Sequence, residues 1–405
     1  MKVTIVNTHE KAGGAATAAN RMFRCMENAN LNTNYLVNNK ISNSSNIHGS
    51  NQIIKIYFKA VNKILKLINK SFISTGEKSI KSFNIFPSNT LSRINKTNPD
   101  ITFLHWVNEE FIPIYNIKKI KGKVVWILHD MWLFSSIDHY SQDDNNLSRF
   151  GKIISKYIYN FKRNNLPKDL TIIAPSQWMA KEAEKSEILM DFSIHTIPNP
   201  IDTNVWKPVS KQSAKDELNI NTNKKLILFG ADGGGKDPRK GFDLLVKAIK
   251  NLNNHTELAL VVVGSDKTKT KLPKEFETFF LGKIDNIEKL ILAYSAADII
   301  AIPSRKDNLP NMIIEAFACS TPAVAFNVGG ISDIIDHKIN GYLALPFDTV
   351  DFAKGISWLL DSDNSELGKS ARNKCVENYS FEVISRVYIE FIKNQLLQAN
   401  HYKNR

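Results

Sequence analysis

Short apolar runs of strand length alternate with helical segments along most of this chain, and this alternation restricts the fold more than any other feature. The chain opens with a strand, a glycine-bearing loop, a helix and a second strand: Val3–Asn7, Gly13 and Gly14, Ala15–Asn28, Tyr35–Val37. This order predicts a parallel sheet, because the chain must cross back over the sheet before it pairs again. Further strands of the first half are predicted at Ile101–His105, Val124–Leu128 and Thr171–Ala174.

The same pattern restarts after a proline-bearing linker, which we place between about Pro198 and Asn223. The helices predicted beyond it include Phe242–Asn251 and Asn286–Ser295. They alternate with strands at Leu226–Gly230, Leu258–Gly264, Thr278–Leu281, Ile299–Ile302 and Ala323–Phe326. The length of 405 residues suits two domains.

We therefore predict an α/β protein of two Rossmann-like, doubly wound parallel-sheet domains that face each other across a cleft. The predicted N-terminal domain covers residues 1–205, and the C-terminal domain covers residues 206–380. The residues from Phe381 to Gln398 are apolar at helical spacing. They predict a closing helix within residues 381–405 that crosses back to the N-terminal domain.

The first residues and the cysteines do not suggest secretion. The first residues run straight into a strand, so no signal peptide is predicted, and no apolar run approaches the roughly 18 to 20 residues that cross a bilayer. Cys25, Cys319 and Cys375 lack the spacing of metal or redox sites and are predicted to be buried thiols. We predict a cytoplasmic protein.

The net charge of +13 is concentrated in part on one amphipathic helix near Ile53–Ile68. Between Gln52 and Ser82, seven lysines stand against one acid, Glu77. Because few aromatic residues interleave with these lysines, nucleic acid is a poor fit as a partner. The two interpretations left are an ordinary solvated helix and a contact with an anionic membrane, which would place the protein peripherally on the inner face of the plasma membrane.

The segment Ile302–Cys319 carries two carboxylates around a predicted helix start. Pro310 is predicted in the first turn with Asn308 as the N-cap. A helix amino end binds anions, and Asp307 and Glu315 could accept hydrogen bonds from vicinal hydroxyls of a sugar nucleotide. A solvated loop Asp followed by a helix-start Glu is the structural alternative.

Three further segments carry candidate binding groups. Three glycines followed by Lys236, Arg239 and Lys240 suit a loop that neutralises a pyrophosphate, although no Ser or Thr follows Lys240 as a P-loop requires. The pair Gly13 and Gly14 would let the backbone approach a ligand. His129, beyond a strand end, would face the ligand crevice unless it is structural.

Together these segments resemble the retaining family 4 glycosyltransferases of the GT-B fold, and most closely the bacterial subgroup that builds capsule, O-antigen and exopolysaccharide. The segments that carry the resemblance occur in the family's order: GGAATAANR, HDMWLFSSIDHY, APSQWMAKEA, IPNPIDTNVWKP, DPRKGFDLL, YSAADIIAIPS, DNLPNMIIEA, STPAVAFNVGGISDII and NGYLA. In the family, a Glu, seven residues and a second Glu mark the donor site. Here Asp307 takes the first place and Glu315 the second.

The resemblance implies a role for each matching residue. Asp307 would contact the donor hexose, Glu315 the ribose and Lys240 the phosphates, and Arg239 would support Lys240. His129 would lie near the donor sugar, and the other implied contacts are Gly13 and Gly14 near the phosphates, Gly282, Lys283 and Ile284 at the base, and Asn308, Leu309, Pro310 and Asn311 at the helix start. His129, Asp307, Glu315 and Lys240 form the predicted catalytic set.

The predicted reaction is transfer of a hexose from a UDP- or GDP-sugar to a hydroxyl of a saccharide acceptor, which would be lipid-linked, with retention of configuration. No cofactor and no metal is predicted, because cationic side chains and a helix amino end would stabilise the leaving diphosphate. A nucleotide-sugar epimerase, a phosphorylase of similar architecture and a basic membrane-surface module remain alternatives. A dinucleotide oxidoreductase is disfavoured, because the first loop lacks the G-x-G-x-x-G order.

Overall fold

The computed structural model describes residues 1–72, 81–140, 147–230, 237–252, 255–265 and 272–403. The chain divides into two compact units. The first comprises Met1–Pro200 and Ile384–Arg405, and the second comprises Ile201–Val383. The boundaries predicted at residues 205 and 380 lie close to these.

The first unit is built on a seven-stranded sheet of order β3-β2-β1-β4-β5-β6-β7, in which neighbouring described strands pair in parallel. Its strands are β1 Lys2–Val6, β2 Asn32–Leu36, β3 Ile47–His48, β4 Ile101–Leu104, β5 Lys123–Ile127, β6 Thr171–Ala174 and β7 Ser193–Thr196. Its helices are α1 Gly14–Asn28, α2 Gln52–Phe72, α3 Thr90–Lys96, α4 Ile114–Ile117, α5 Arg149–Asn165 and α6 Gln177–Glu184.

Both faces of this sheet are covered, which is why its central strands read as continuous apolar runs. On β4, Phe103 faces one core cluster and Leu104 faces another. The last helix, α13 Phe381–Lys403, adds Ile384 and Tyr388 to the cluster that contains Phe103. The end of the chain therefore packs against the first sheet.

The second unit contains a six-stranded parallel sheet of order β10-β9-β8-β11-β12-β13. Its strands are β8 Lys225–Gly230, β9 Leu258–Val263, β10 Glu277–Gly282, β11 Ile299–Ile302, β12 Ala323–Phe326 and β13 Gly341–Ala344. Its helices are α7 Lys211–Glu217, α8 Phe242–Lys250, α9 Ile287–Ala296, α10 Asn311–Ala318, α11 Thr349–Asp361 and α12 Asn364–Tyr379. The predicted α/β class with two parallel-sheet domains is confirmed.

The linker predicted between Pro198 and Asn223 is wrong in its second part, because α7 lies within it. Trp206, Ala214 and Leu218 of this segment are buried in the core of the second unit. The polar composition of α7 reflects a helix with one buried face.

The two ends of the second unit are tied together by the backbone. The Ile201 N–H donates to the Tyr379 carbonyl at 2.8 Å, and the Phe381 N–H donates to the Ile201 carbonyl at 3.0 Å. The segment therefore enters and leaves this unit at one place.

Each sheet has one point where the strand order reverses direction, and ligands of open α/β sheets bind outside the carboxyl ends of the strands at such points. In the first sheet the reversal lies between β1 and β4, and in the second it lies between β8 and β11. The predicted glycine loop with Lys236 follows β8 and lies outside the described residues. The loop after β11 is described and carries Asp307.

Candidate functional site

Asp307 lies buried in the loop between β11 and α10, where it collects several hydrogen bonds. Its Oδ2 accepts from Lys240 Nζ at 2.6 Å and from the Ser304 hydroxyl at 3.2 Å. Its Oδ1 accepts from the Asn308 N–H at 3.1 Å. Burial alone would raise the pKa of Asp307, but the charges of Lys240 and Arg239, together with the hydrogen bonds from Lys240 and Ser304, hold this pKa below its ordinary value. The carboxylate is therefore ionised at neutral pH.

A close backbone contact fixes the position of Asp307. The Gly330 N–H donates to the Asp307 carbonyl at 3.1 Å. Gly329 has a φ of +61°, and a Cβ atom built on it would lie 1.9 Å from the same carbonyl oxygen. Only glycine fits both the backbone angle and the space.

We expect Gly329→Ala to lower transfer severalfold, because the added methyl must push the Asp307 backbone away from its present place. Steady-state kinetics would report this as a fall in kcat/KM, with the far-ultraviolet circular dichroism unchanged. Gly355→Ala, in which the new methyl meets the ring of Tyr342 instead, is the matched control. Equal losses in both variants would contradict a specific effect on Asp307.

The turn that carries Arg239 and Lys240 is joined to the Asp307 loop by several bonds. The Arg305 N–H donates to the Arg239 carbonyl at 2.7 Å, and Arg239 Nη1 reaches the Lys306 carbonyl at 3.4 Å. Arg305 also forms a bidentate ion pair with Asp243 of α8, at 2.7 and 2.6 Å. The two predicted cations are thus brought to the predicted carboxylate, and Lys240 keeps its side chain half exposed.

The helix start differs from its prediction. α10 begins at Asn311 with Pro310 as its N-cap, so the assignment of Asn308 as N-cap is wrong by two positions. The Asn308 N–H bonds the Asp307 side chain instead, and Leu309 is buried in the core. No side chain caps this helix start, and the backbone N–H groups of its first turn follow directly on the Asp307 loop.

Glu315 is buried on α10 and is held by a tyrosine. Its Oε2 accepts a hydrogen bond from the Tyr294 hydroxyl at 2.8 Å. Tyr294 lies in the last turns of α9, where its ring belongs to the apolar core. This contact orients the carboxylate that the sequence assigns to the ribose.

The predicted base-binding segment lies at the end of β10. Gly282 has a φ of +65°, and its carbonyl accepts from the Gly264 N–H at 2.7 Å. Lys283 pairs with Asp285 at 3.2 Å in an exposed position, and Ile284 packs partly against the core.

In the first unit, His129 follows β5 and stacks on a second histidine. His129 Nε2 and His105 Nδ1 share a hydrogen bond of 2.8 Å, with ring centroids 5.0 Å apart. Burial lowers the pKa of His129 to about 4, and burial together with His129 lowers the pKa of His105 well below its ordinary value. The pair is neutral at physiological pH.

The buried histidine pair should make the protein sensitive to acid. The unfolded chain takes up protons near pH 6.5, whereas folded His129 resists protonation until about pH 4. The stability contributed by neutral His129 is therefore fully present above about pH 6.5. It is lost as the pH drops from 6.5 toward 4, by about 1.4 kcal/mol per pH unit for each proton that the folded state excludes. Urea unfolding at several pH values should show this slope, and a His105→Gln, His129→Gln double variant should show a shallower one.

Behind His129, a polar network fixes the loop that follows β5. Asp130 Oδ2 bonds His139 Nδ1 at 2.5 Å and accepts from Trp106 Nε1 at 3.1 Å. His139 Nε2 in turn shares a bond of 3.0 Å with the Ser82 hydroxyl. Burial would raise the pKa of Asp130, but His139 holds it below its ordinary value. Asp130 is a positioning group for this loop.

Gly13 and Gly14 lie at the start of α1, in the loop that leaves β1. Gly13 is the N-cap with a φ of +86°, and a Cβ atom added to it would meet nothing within 4 Å. The backbone at this helix start is open to a ligand. His9, in the same loop, stacks on Trp106 and bonds Glu109 at 3.3 Å.

The structure thus joins Asp307, Lys240 and Arg239 in one cluster and supports Glu315 through Tyr294. Tyr294, Gly329 and Arg305 were not assigned a role from the sequence, although Tyr294 and Gly329 stand in the segments YSAADIIAIPS and NVGG that carry the resemblance. Within the described ranges, no three His, Cys, Asp or Glu side chains meet as candidate metal ligands. Cys25, Cys319 and Cys375 are buried thiols outside any disulfide, and burial raises the pKa of the Cys319 thiol to about 12.

Sequence comparison finds known proteins that are similar to this chain. The model of the family "Glycosyl transferases group 1" matches residues 210–379. N-acetyl-alpha-D-glucosaminyl L-malate synthase of Bacillus anthracis is 26% identical over 307 residues, which are 72% of this chain and 74% of that protein. Several proteins named D-inositol 3-phosphate glycosyltransferase match over less than half of their own length.

Solved structures share the fold at low sequence identity. Sucrose-phosphate synthase from Thermosynechococcus elongatus superposes with a TM-score of 0.66 at 17% identity, over 98% of this chain and 99% of that one. The HepE protein of Anabaena, solved in complex with UDP, gives a TM-score of 0.63 at 16% identity over 97% and 100% of the two chains.

Proposed function

Because the chain is a group 1 glycosyltransferase on the GT-B fold, we propose that it transfers a hexosyl group from a UDP- or GDP-hexose to a hydroxyl of a saccharide acceptor. The observation that carries the proposal is the contact of Lys240 with Asp307 at the reversal point of the second sheet, next to the start of α10. A cation, an ionised carboxylate and a helix amino end here suit a ligand that combines phosphates with sugar hydroxyls.

In the proposed reaction, the bond between the anomeric carbon and the diphosphate oxygen breaks, and the acceptor hydroxyl forms a new bond to that carbon as it loses its proton. The departing diphosphate gains negative charge. Lys240, supported by Arg239 and the N–H groups of α10, would stabilise this charge, while Asp307 would bind hexose hydroxyls and Glu315 the ribose. By the resemblance to family 4, His129 is the further residue that we propose to lie near the donor sugar.

We propose that the reaction needs no metal, since side-chain cations are available for the diphosphate charge. Enzyme treated with EDTA should keep its turnover. A loss of turnover that Mg²⁺ or Mn²⁺ restores would contradict this part of the proposal.

Retention of the anomeric configuration is part of the proposal and rests on the resemblance to family 4. Proton NMR of the first product, read before mutarotation or further reaction, gives the configuration directly. An inverted anomeric coupling constant would overturn it.

Nucleotide-sugar epimerases and phosphorylases are the competing activities, and product analysis separates them from a transferase. Free nucleoside diphosphate should appear only when donor and saccharide acceptor are both present. Sugar isomers without diphosphate release would indicate an epimerase, and release of sugar phosphate on addition of phosphate would indicate a phosphorylase.

We further propose that the acceptor is a saccharide carried on a lipid, in bacterial surface polysaccharide synthesis, and that the enzyme works at the cytoplasmic face of the membrane. In the described part of the chain, no helix has the length and apolar character to span a bilayer. The basic helix α2 is the feature that supports a peripheral contact.

A further inference from the structure

The surface of α2 is divided into three faces along its length. At about 100° per residue, Phe58, Val61 and Leu65 lie together and are buried. A lysine face lies beside them, made by Lys55, Lys59, Lys63 and Lys66. The third face is apolar and yet exposed, and its large side chains are Ile53, Ile56, Tyr57, Ile64, Leu67 and Ile68, with exposures from 38% to 78%.

α5 repeats this division. Its buried face consists of Gly151, Ser155, Ile158 and Lys162. Arg149, Lys152, Lys156 and Arg163 form a basic face. Phe150, Ile153 and Tyr157 lie together on the remaining side and are 54%, 61% and 58% exposed.

The two helices are neighbours, since Val61 and Leu65 of α2 share a core cluster with Ile158 of α5. Together they contain ten lysines and arginines and no acidic residue. Lys81, which the sequence grouped with these lysines, does not belong to the exposed set because it is buried in an ion pair with Asp138 at 3.3 Å. Lys78 lies outside the described residues.

This combination of faces identifies the chemical class of the partner. Protein interfaces deplete lysine from their contact area, whereas helices that lie in a membrane interface place Lys and Arg beside exposed Phe, Leu and Ile. We infer that α2 and α5 form one two-helix surface that docks on an anionic lipid bilayer, with Phe150, Ile153 and Tyr157 inserting beside the apolar face of α2. The inference rests on the proposed function, because a lipid-borne acceptor would explain why this protein binds a membrane.

A buried lysine connects this surface to the candidate site of the first unit. Lys162, on the inner face of α5, donates to the Ser135 and Ser136 carbonyls at 3.3 and 2.6 Å and lies 3.6 Å from the centre of the Trp132 ring. These residues belong to the loop that follows His129. Docking of α5 would therefore hold this loop next to the leaflet that carries the acceptor.

Vesicle co-sedimentation of the full chain tests the inference. Wild type should pellet with vesicles of phosphatidylcholine and phosphatidylglycerol at low salt, and less with phosphatidylcholine alone. Phe150→Ser, Ile153→Ser, Tyr157→Ser should weaken binding at least about tenfold, and so should Lys152→Glu, Lys156→Glu. The matched controls carry the same exchanges in exposed positions of the second unit: Ile339→Ser, Leu345→Ser, Val350→Ser, and Lys250→Glu, Lys354→Glu.

A second measurement reports insertion directly. The native cysteines are buried, so an Ile153→Cys variant offers one exposed thiol for an environment-sensitive fluorophore. Its emission should shift to shorter wavelength with anionic vesicles, while the same label at Val350→Cys should not respond. Equal responses at both sites would overturn insertion through α5.

Nucleotide binding separates this inference from the proposed function. If wild type binds UDP or GDP in a thermal-shift assay but stays in the supernatant with anionic vesicles, the docking surface is refuted and the transferase proposal stands. A protein partner would then have to cover the two helices. If wild type binds vesicles but neither nucleotide, the donor site is refuted instead.

Discussion

Glu315→Ala and Lys240→Ala should each lower kcat/KM for the donor by at least tenfold, about 1.4 kcal/mol of transition-state stabilisation. The Tyr294 hydroxyl holds the Glu315 carboxylate, so its proposed contact with the ribose would need little reorganisation of the side chain. Lys240 bonds Asp307 at 2.6 Å, and its loss would remove the largest of the interactions that lower the pKa of this buried carboxylate. Steady-state kinetics with a UDP- or GDP-hexose would measure both effects.

Two exposed residues of the same unit are matched controls for these variants. Glu366→Ala on α12 and Lys250→Ala on α8 remove the same side chains from solvated positions and should keep wild-type rates. Circular dichroism should be native in all four proteins. Near-wild-type rates for Glu315→Ala and Lys240→Ala would refute the donor-site assignment.

Glu110→Ala should lower the unfolding free energy of the first unit by about 3 kcal/mol, because it leaves three buried backbone N–H groups without their acceptor. Glu110 is buried, and its carboxylate accepts from the N–H groups of Asn84, Ile85 and Phe86 at 2.7, 2.8 and 3.0 Å. The side-chain amide of Asn84 donates in turn to the Val107 and Ile112 carbonyls. Removing the carboxylate also removes the cost of burying it, so the net loss is smaller than the sum of three bonds.

Glu109→Ala is a close control for this measurement. Glu109 also has a positive φ, 59° against 62° for Glu110, so the exchange to Ala changes backbone strain equally in both variants. Its side chain is 44% exposed and pairs only with His9 among the ion pairs of the described residues. Its loss should cost below about 1 kcal/mol. Urea unfolding of both proteins would give the difference, and equal values would contradict the buried clamp.

Apolar runs allowed most strands of both sheets to be predicted, because a strand covered on both faces must be apolar throughout. β4 and β11 are examples, with every residue buried. The edge strand β7 escaped prediction because its residues, Ser193–Thr196, are partly exposed and polar. α7 was not predicted because its few buried residues stand among charged ones, so no apolar helical pattern is visible.

The candidate site was predictable only as a set of residue types. The spacing of Asp307 and Glu315 is visible in the chain, but the bond between Asp307 and Lys240 spans 67 positions and depends on how two loops meet. In the sequence, Tyr294 fits the apolar pattern of an ordinary core helix, because the neighbouring residues do not show that its hydroxyl will reach Glu315. The place of Gly329 against the Asp307 carbonyl is likewise set by tertiary structure alone.

The bonds from Ile201 to Tyr379 and Phe381 give the second unit the topology of an inserted cassette. It is one uninterrupted stretch of chain whose entry and exit lie side by side, whereas the first unit is assembled from both ends of the sequence. The gene segment for residues 201–383 could therefore be exchanged for the matching segment of a relative. The two new junctions would lie next to each other, so no added linker would be needed. Recombination at these two neighbouring points would change the proposed donor preference and leave the first unit, for which we propose the acceptor role, as it is.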